Sequence, residues 1–226
     1  IISGQVKTKD LTKKKNKVRQ TGPQEVDVVS MIKKVTKYSK TIKKVGNLIN
    51  ELELAYQQAT NGRQGPIWLD VPLDIQAKEV DLNKIKKKPK NHKVKKFSND
   101  KLHLISSNLN KSKKPLIYIG HGTRLAGGNK IFEKIIKKFQ IPFVTTWNSL
   151  DMMPISNPLN FGSPGVVARR FSNFIIQNCD LIICIGASIN EINTAFNIKN
   201  FAPLSKKIVI DIDSNELERI KLKNAL

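Results

Sequence analysis

Apolar residues in this chain fall into short blocks separated by polar, lysine-rich stretches, and the second half shows this most clearly. Leu116-Ile117-Tyr118-Ile119, residues 141–146, Leu181 to Ile185 and residues 208–212 each read as a strand. Between them, residues 128–139 carry Ile131, Phe132, Ile135 and Ile136 at helical spacing, and residues 168–177 predict another helix. Ser214-Asn215-Glu216-Leu217 starts a capped helix. Fully apolar strands alternating with helices are the pattern of a parallel sheet covered on both faces. The expected fold class is α/β, with a Rossmann-like, doubly wound domain over residues 114–226.

The first 76 residues make a smaller α/β unit. Residues 21–25 signal a turn, and residues 26–32 follow as an apolar stretch. Residues 44–60 predict an amphipathic helix with Leu48, Leu52, Ala55 and Tyr56 inward, stopped at Asn61-Gly62. Residues 67–71 form a strand ended by Pro72, and Asp70 and Asp74 on either side of it read as turn-stabilising. Residues 77–113 are rich in Lys and Asn and read as a basic interdomain linker with a weak helix near residues 102–109. No apolar run approaches the roughly 20 residues that cross a bilayer. The chain opens on Ile1-Ile2 without Met or a signal-peptide pattern, so it is expected to be an internal section of a longer polypeptide.

The net charge of +22 raises the alternative of a module that binds nucleic acid or another polyanion. Composition argues against it: of 40 basic residues only Arg19, Arg63, Arg124, Arg169, Arg170 and Arg219 are arginine, the residue of bidentate phosphate and base contacts. Cys179 and Cys184 flank an apolar run whose strand alternation sends them to opposite faces, so they read as reduced, buried thiols of a cytoplasmic protein. His92, His103 and His121 form no metal-ligand cluster, and no metal site is expected.

Ligands of such sheets bind beyond the carboxyl ends of the strands. Four loops take that position: Gly120-His121-Gly122, Thr145-Thr146-Trp147, Gly186-Ala187-Ser188 and Asp211-Ile212-Asp213. Glycine after a strand admits a phosphate close to the backbone, and an acidic strand end accepts from ribose hydroxyls. The same glycine turns also arise for purely geometric reasons, and there is no GxGxxG. Both readings stay open at this point.

In order along the chain, several segments resemble the acetolactate synthase group of thiamine diphosphate enzymes. Ser3-Gly4-Gln5-Val6 is similar to that family's (S/T)GQV strand end, residues 24–29 to its FQExDIV segment, and Val35-Thr36-Lys37-Tyr38 to the VTK(Y/H) after it. Residues 61–76, NGRQGPIWLDVPLDIQ, resemble the GRPGPVxxDxPxDxQ signature. Residues 178–187 resemble NADLLIxxGA, and Phe201-Ala202-Pro203 with residues 210–213 resembles FAP…IDID. The resemblance implies that residues 1–76 are the C-terminal part of a domain binding the cofactor's pyrimidine, and residues 114–226 the central domain. It also implies a full-length homo-oligomer, dimer or tetramer, that uses thiamine diphosphate and Mg2+ on a small 2-oxo acid such as pyruvate. Branched-chain amino acid biosynthesis is the implied pathway. The activating glutamate would precede Ile1 and the metal-binding GDG motif would follow Leu226.

By the same resemblance Gln24 faces the active site, Gly120, His121 and Gly122 occupy the first loop of an FAD site, and Thr146 and Trp147 the second. Gly162, Ser163 and Pro164 replace the family's GMH segment, Gly186 and Ala187 lie at the next loop, and Asp211 approaches the adenosine ribose. The family's GARxDxR is here Gly186-Ala187-Ser188-Ile189-Asn190-Glu191-Ile192, so both diphosphate-facing arginines are missing. FAD, ADP and an empty pocket all remain open, with Arg169 and Arg170 as the nearest compensating cations.

Enzyme section and basic binding module differ in their response to salt, because phosphate contacts weaken steeply as salt rises. The expected result of a salt titration against duplex and single-stranded DNA is no sub-micromolar binding at physiological ionic strength. Tight binding with a steep salt slope would favour the basic module instead.

Overall fold

The computed structural model describes residues 1–12, 18–81, 97–220 and 222. The chain divides into two compact units, Ile1–Val94 and Lys95–Leu226. His92 and the whole lysine-rich run at residues 84–96 lie outside the described residues.

In the first unit β1 (Ile2–Gln5), β2 (Tyr38–Thr41) and β3 (Ile67–Pro72) form a parallel sheet in the order β1-β3-β2. Helices α1 (Val28–Ile32), α2 (Leu48–Thr60) and α3 (Leu73–Gln76) connect to it. Ile42, Ala55, Leu69, Val71 and Ile75 make the core, with Leu48 and Leu52 packed on it. Tyr56, expected inward, is exposed instead, and Glu51 takes the buried place on α2. Burial alone would raise the Glu51 pKa, but hydrogen bonds from Lys40 and Tyr38 on β2 outweigh it and hold the carboxyl low. A carboxylate clamped between strand and helix thus replaces an apolar contact.

Strand β2 was invisible in the hydrophobic pattern because Tyr-Ser-Lys-Thr shows no apolar alternation; pairing with β3, Tyr38 against Ile67, makes it a strand. Asp70 is not a turn residue. It is buried in central β3 and accepts from Ser3 (2.8 Å) and Gln5 (3.1 Å) on β1 and from Thr41 (3.2 Å) on β2. One carboxylate therefore ties three strands, and its lone pairs are satisfied as burial of a charge requires. Asp74 accepts from the Thr8 backbone N–H and hydroxyl, which fastens the residues after β1 to α3.

The second unit contains α4 (Asn99–Lys111), β4 (Pro115–Ile119), α5 (His121–Leu125), α6 (Asn129–Phe139), β5 (Phe143–Thr145), α7 (Arg170–Asn178), β6 (Leu181–Ile185), β7 (Lys206–Ile210) and α8 (Ser214–Ile220). All strand pairs are parallel, in the order β5-β4-β6-β7. The chain runs from β4 outward to β5, then returns past β4 to β6, so the winding reverses between β4 and β6. On one face Leu116, Tyr118, Val144, Ile182 and Cys184 pack with Ile176 of α7 and Ile220 of α8. On the other, Ile117, Ile119 and Phe143 pack with Phe132 and Ile136 of α6, while Leu181, Ile183 and Ile208 meet Ile105 and Leu109 of α4. Helices on both faces make the sheet doubly wound, as the apolar strands implied.

Four details differ from the sequence reading. Helix α4 lies inside the expected linker, yet Ile105 and Leu109 dock it on the second sheet, so that stretch belongs to the second unit. Ile131 is exposed; only Phe132, Ile136 and, in part, Ile135 face the core, since the four positions together span about 140° of the helix. The last strand is Lys206–Ile210 rather than 208–212, because it pairs with β6 from Leu181↔Lys206 to Ile185↔Ile210, and Lys207 within it is buried with its Nζ donating to the Ser205 carbonyl at 2.9 Å. Cys179 precedes β6, so strand alternation does not govern it. Both thiols are free, sit in one core cluster, and are pushed up by burial, Cys179 to about 11.

In the first unit the Glu25 carboxylate accepts from the N–H groups of Thr21 and Thr12 and the Thr12 hydroxyl, with a longer contact from Gly22. These bonds, the Thr21 N–H foremost, pull its pKa from 4.5 to about 2. A depressed folded-state pKa means the stabilisation is complete above 4.5 and is lost as pH falls through about 2. The Thr12, Thr21 and Gly22 amide shifts are expected to titrate together with a midpoint near 2. The Glu25→Gln variant should show no such transition at those amides.

Candidate functional site

The carboxyl ends of the four parallel strands of the second unit lie along one edge, and backbone hydrogen bonds lace their loops together. Thr146 N donates to Ile119 O (3.0 Å), Gly120 N to Ile185 O (2.9 Å) and Gly186 N to Ile210 O (2.9 Å). Gly122 N donates to Gly186 O at 3.0 Å, and Thr145 N to Gly162 O at 2.8 Å. The segments singled out in sequence, at Gly120-His121-Gly122, Thr146-Trp147, Gly162-Ser163-Pro164, Gly186-Ala187 and Asp211, are therefore neighbours along one sheet edge.

The glycines have a local cause. A Cβ on Gly120 would lie 2.1 Å from the Gly186 carbonyl oxygen, and one on Gly122 would lie 2.9 Å from Gly186 Cα. Gly186 itself holds φ +55, and its Cβ would meet Thr123 N at 2.6 Å. Two loops packed backbone on backbone leave no room for side chains. Their N–H groups at 120, 122 and 186 already donate to carbonyls, so the cradle that glycine loops offer a phosphate is largely closed by the protein itself.

The remaining predicted residues take defined places. His121 Nδ1 lies 3.2 Å from the Asn148 carbonyl, which only accepts, so that nitrogen carries the proton. The Thr146 hydroxyl pairs with Ser149 at 3.1 Å, and Trp147, half exposed, opens the 3-10 turn Trp147–Met152. Ala187 and Pro164 are buried. Asp211 Oδ1 accepts from Asp213 N at 2.9 Å, which folds that carboxylate onto its own loop. In the first unit Gln24 is exposed and its neighbour Glu25 organises the loop.

Ser188 and Ile192 supply no cation where the resemblance places a diphosphate. Their carbonyls accept from Asn193 Nδ2 (2.9 Å) and Val166 N (3.0 Å), which ties the loop after β6 to the loop before α7. Arg169 and Arg170 do not compensate. Helix α7 buries Ser172 and Ile176, while the guanidiniums lie over the exposed rings of Phe171 (5.9 Å) and Phe174 (5.1 Å). A cleft of about 240 Å³ beside Pro164 and Gly165 has no charged residue in its lining, and its Asn173 and Asn193 amides tie loops together. The residues present do not fit the diphosphate of FAD at the family's cation positions.

Sequence reasoning missed Arg124. It sits on α5 just past the glycine loop, pairs with Asp151 and keeps Nε buried without a partner. The available signal was an arginine within one helical turn of a strand-end glycine, a spacing too short and too common to single out. Among the described residues no group of His, Cys, Asp and Glu is placed to hold a metal ion.

Loop packing gives a sharp expectation. Gly120→Ala should destabilise the chain by about 3 kcal/mol or more, since backbone rather than a flexible side chain must move. Gly46→Ala, with nothing within 4 Å of the added carbon, should change stability by about 1 kcal/mol or less. Thermal or urea unfolding of both variants measures the difference.

The model of the family described as thiamine pyrophosphate enzyme, central domain, matches residues 103–225. That range begins within α4, in accord with the docking of this helix on the second sheet. Among curated proteins, the chain is 29% identical to the acetolactate synthase isozyme 1 large subunit of Escherichia coli over 88% of its length, which is 35% of that protein. The acetolactate synthase large subunit of Lactococcus lactis is 32% identical, covering 87% of this chain and 34% of the relative. The mitochondrial acetolactate synthase catalytic subunit of Saccharomyces cerevisiae is 31% identical, covering 81% and 28%. The chain thus spans about a third of the length of these relatives. With its doubly wound sheet and a family match over more than half of its residues, the chain belongs to the thiamine pyrophosphate enzymes and carries their central domain.

Proposed function

We propose that this chain is a section of a thiamine-diphosphate-dependent carboligase or decarboxylase acting on a 2-oxo acid such as pyruvate. The first unit contributes part of the domain that receives the cofactor's pyrimidine, and the second is mainly architectural. The observation that carries this reading is collinearity. The acetolactate synthase-like motifs occur in order across both units, and the similarity to those relatives covers 81–88% of the chain. When bound, thiamine diphosphate supplies a carbanion that attacks the keto carbon and an electron sink for the carbon–carbon bond cleavage.

Within the first unit, Gln24 is the residue proposed to face substrate, and its exposure leaves the amide available to a ligand. Asp70 and Glu25 hold β1, β3 and the loop bearing Gln24 in place through the hydrogen bonds described above. Mg2+ and a homo-oligomeric full-length enzyme belong to the same proposal. A cytoplasmic setting rests on two buried free thiols, and among the described residues no helix is long and apolar enough to cross a membrane. The basic-module alternative draws support from net charge alone, while the family match and the relatives favour the enzyme.

The chain expressed alone is expected to release no carbon dioxide from pyruvate with thiamine diphosphate and Mg2+. It should also purify without flavin absorbance, because Ser188 and Ile192 offer no cation and Arg169 and Arg170 lie on the outer face of α7. Cofactor-dependent turnover by the pure chain would overturn the assignment of domains. A bound flavin would overturn the reading of the crevice.

A further inference from the structure

Exposed apolar side chains gather around α7 in the second unit. The helix turns Ser172 and Ile176 inward, and two further stripes follow around its surface. Asn173 and Gln177, four positions apart, line the cleft of about 240 Å³; Arg170 and Phe174, also four apart, form the next stripe outward. Val166 and Val167 lie exposed just before the helix. The cleft is bounded on its other side by the turn at residues 193–197, and Val166 N donates to Ile192 O at 3.0 Å to hold the two segments together.

That turn has a strained backbone. Ala195 and Phe196 hold φ 52 and 58 in succession, a conformation that L-residues rarely adopt, and Phe196 N donates to Glu191 O at 2.6 Å to fix it. The result places the Phe196 ring in solvent, 73% exposed, between two residues of the cleft lining, Ala195 and Asn197. Exposed phenylalanines and arginines grouped around a small pocket have the composition of a binding hot spot rather than of plain solvated surface.

Charge and hydrogen-bond capacity say what binds there. Arg169 and Arg170 lie over the rings of Phe171 and Phe174 and have no carboxylate partner among the described residues, so their N–H groups remain to be offered to one. No charged residue lines the cleft, and buried Ile176 and Phe201 make part of it apolar. Asn197 and Asn200 are exposed, and their side chains form no hydrogen bond among the described residues, so both amides can pair with a peptide backbone. Glu191 is the one acidic side chain of the turn, and Lys199 offsets it. A second copy of this chain fits poorly, since it brings the same arginines and the same net charge of +22.

We propose that the α7 flank is a docking surface for an acidic peptide segment of a partner protein. One apolar side chain of that segment enters the cleft between α7 and the 193–197 turn, flanked by Phe174 and Phe196. An Asp or Glu beside it pairs with Arg169 and Arg170. The surface takes no nucleotide and no cofactor, and it does not rest on the functional reading above.

Selection of a displayed library of random short peptides on the whole chain tests it. Enriched sequences are expected to place Asp or Glu next to Phe, Leu or Trp; basic or purely polar sequences overturn the proposal, as does a lack of enrichment. The most enriched peptide is then synthesised with a fluorescent label and titrated by polarisation against the chain and its variants. Arg169→Ala with Arg170→Ala should weaken binding at least about tenfold, and Phe196→Asn, which tolerates the left-handed φ, about as much. These side chains are exposed, so folding should persist, and circular dichroism checks that. Lys130→Ala with Lys134→Ala on α6, which packs on the other face of the sheet, should leave the affinity unchanged. Undiminished binding by the arginine or Phe196 variant, or an equal loss in the lysine variant, shows general attraction to a basic protein and overturns the docking surface. Sedimentation velocity of the chain alone should show no self-association that Phe196→Asn abolishes; such self-association would assign this face to a second copy and overturn the peptide.

Discussion

The architecture of the second unit depends on one close approach: the loop after β4 lies against the loop after β6, backbone on backbone. Gly120, Gly122 and Gly186 make it sterically admissible, and the Gly122 N–H to Gly186 carbonyl bond closes it. Because β4 and β6 are the strands between which the winding reverses, this contact brings together loops whose chain paths depart toward opposite edges of the sheet. The loops after β5 and β7 then join through the Thr146 and Ile210 bonds.

The same approach bears on function. Glycines that look like a phosphate cradle are already engaged by a neighbouring loop, and the loop after β6 is fastened to the segment before α7 through Ser188, Ile192 and Asn193. The β6 side of the crevice is closed in on itself and carries no cation at 188 or 192. On the β5 side Arg124 pairs with Asp151 of the Trp147–Met152 turn, while the Thr145 and Ser163 hydroxyls are buried without a hydrogen-bond partner among the described residues.

In the first unit buried carboxylates take the organising role. Asp70 bonds to residues on both flanking strands, and Glu51 fastens α2 to β2 where an apolar side chain would ordinarily sit. A small three-stranded sheet buries little apolar surface, so directional bonds at its centre help to specify its strand order.

Sequence alone determined the parts whose information is local. The apolar blocks at Leu116, Val144 and Leu181 specified buried parallel strands, because such strands lie between two helix layers and admit no polar alternation. Glycine and proline punctuation bounded α2 and β3, and motif order pointed to the family that the match over residues 103–225 established. Tertiary structure decided whatever depends on a distant partner. Tyr-Ser-Lys-Thr became a strand because β3 offered an edge, and Lys207 lies in the core with its amine donating to Ser205 O. Residues 99–111 left the expected linker because β6 and β7 supplied an apolar surface for Ile105 and Leu109. Arg124 gained its place from Asp151, 27 positions along the chain, and no periodicity within one segment records a contact made by the folding of two.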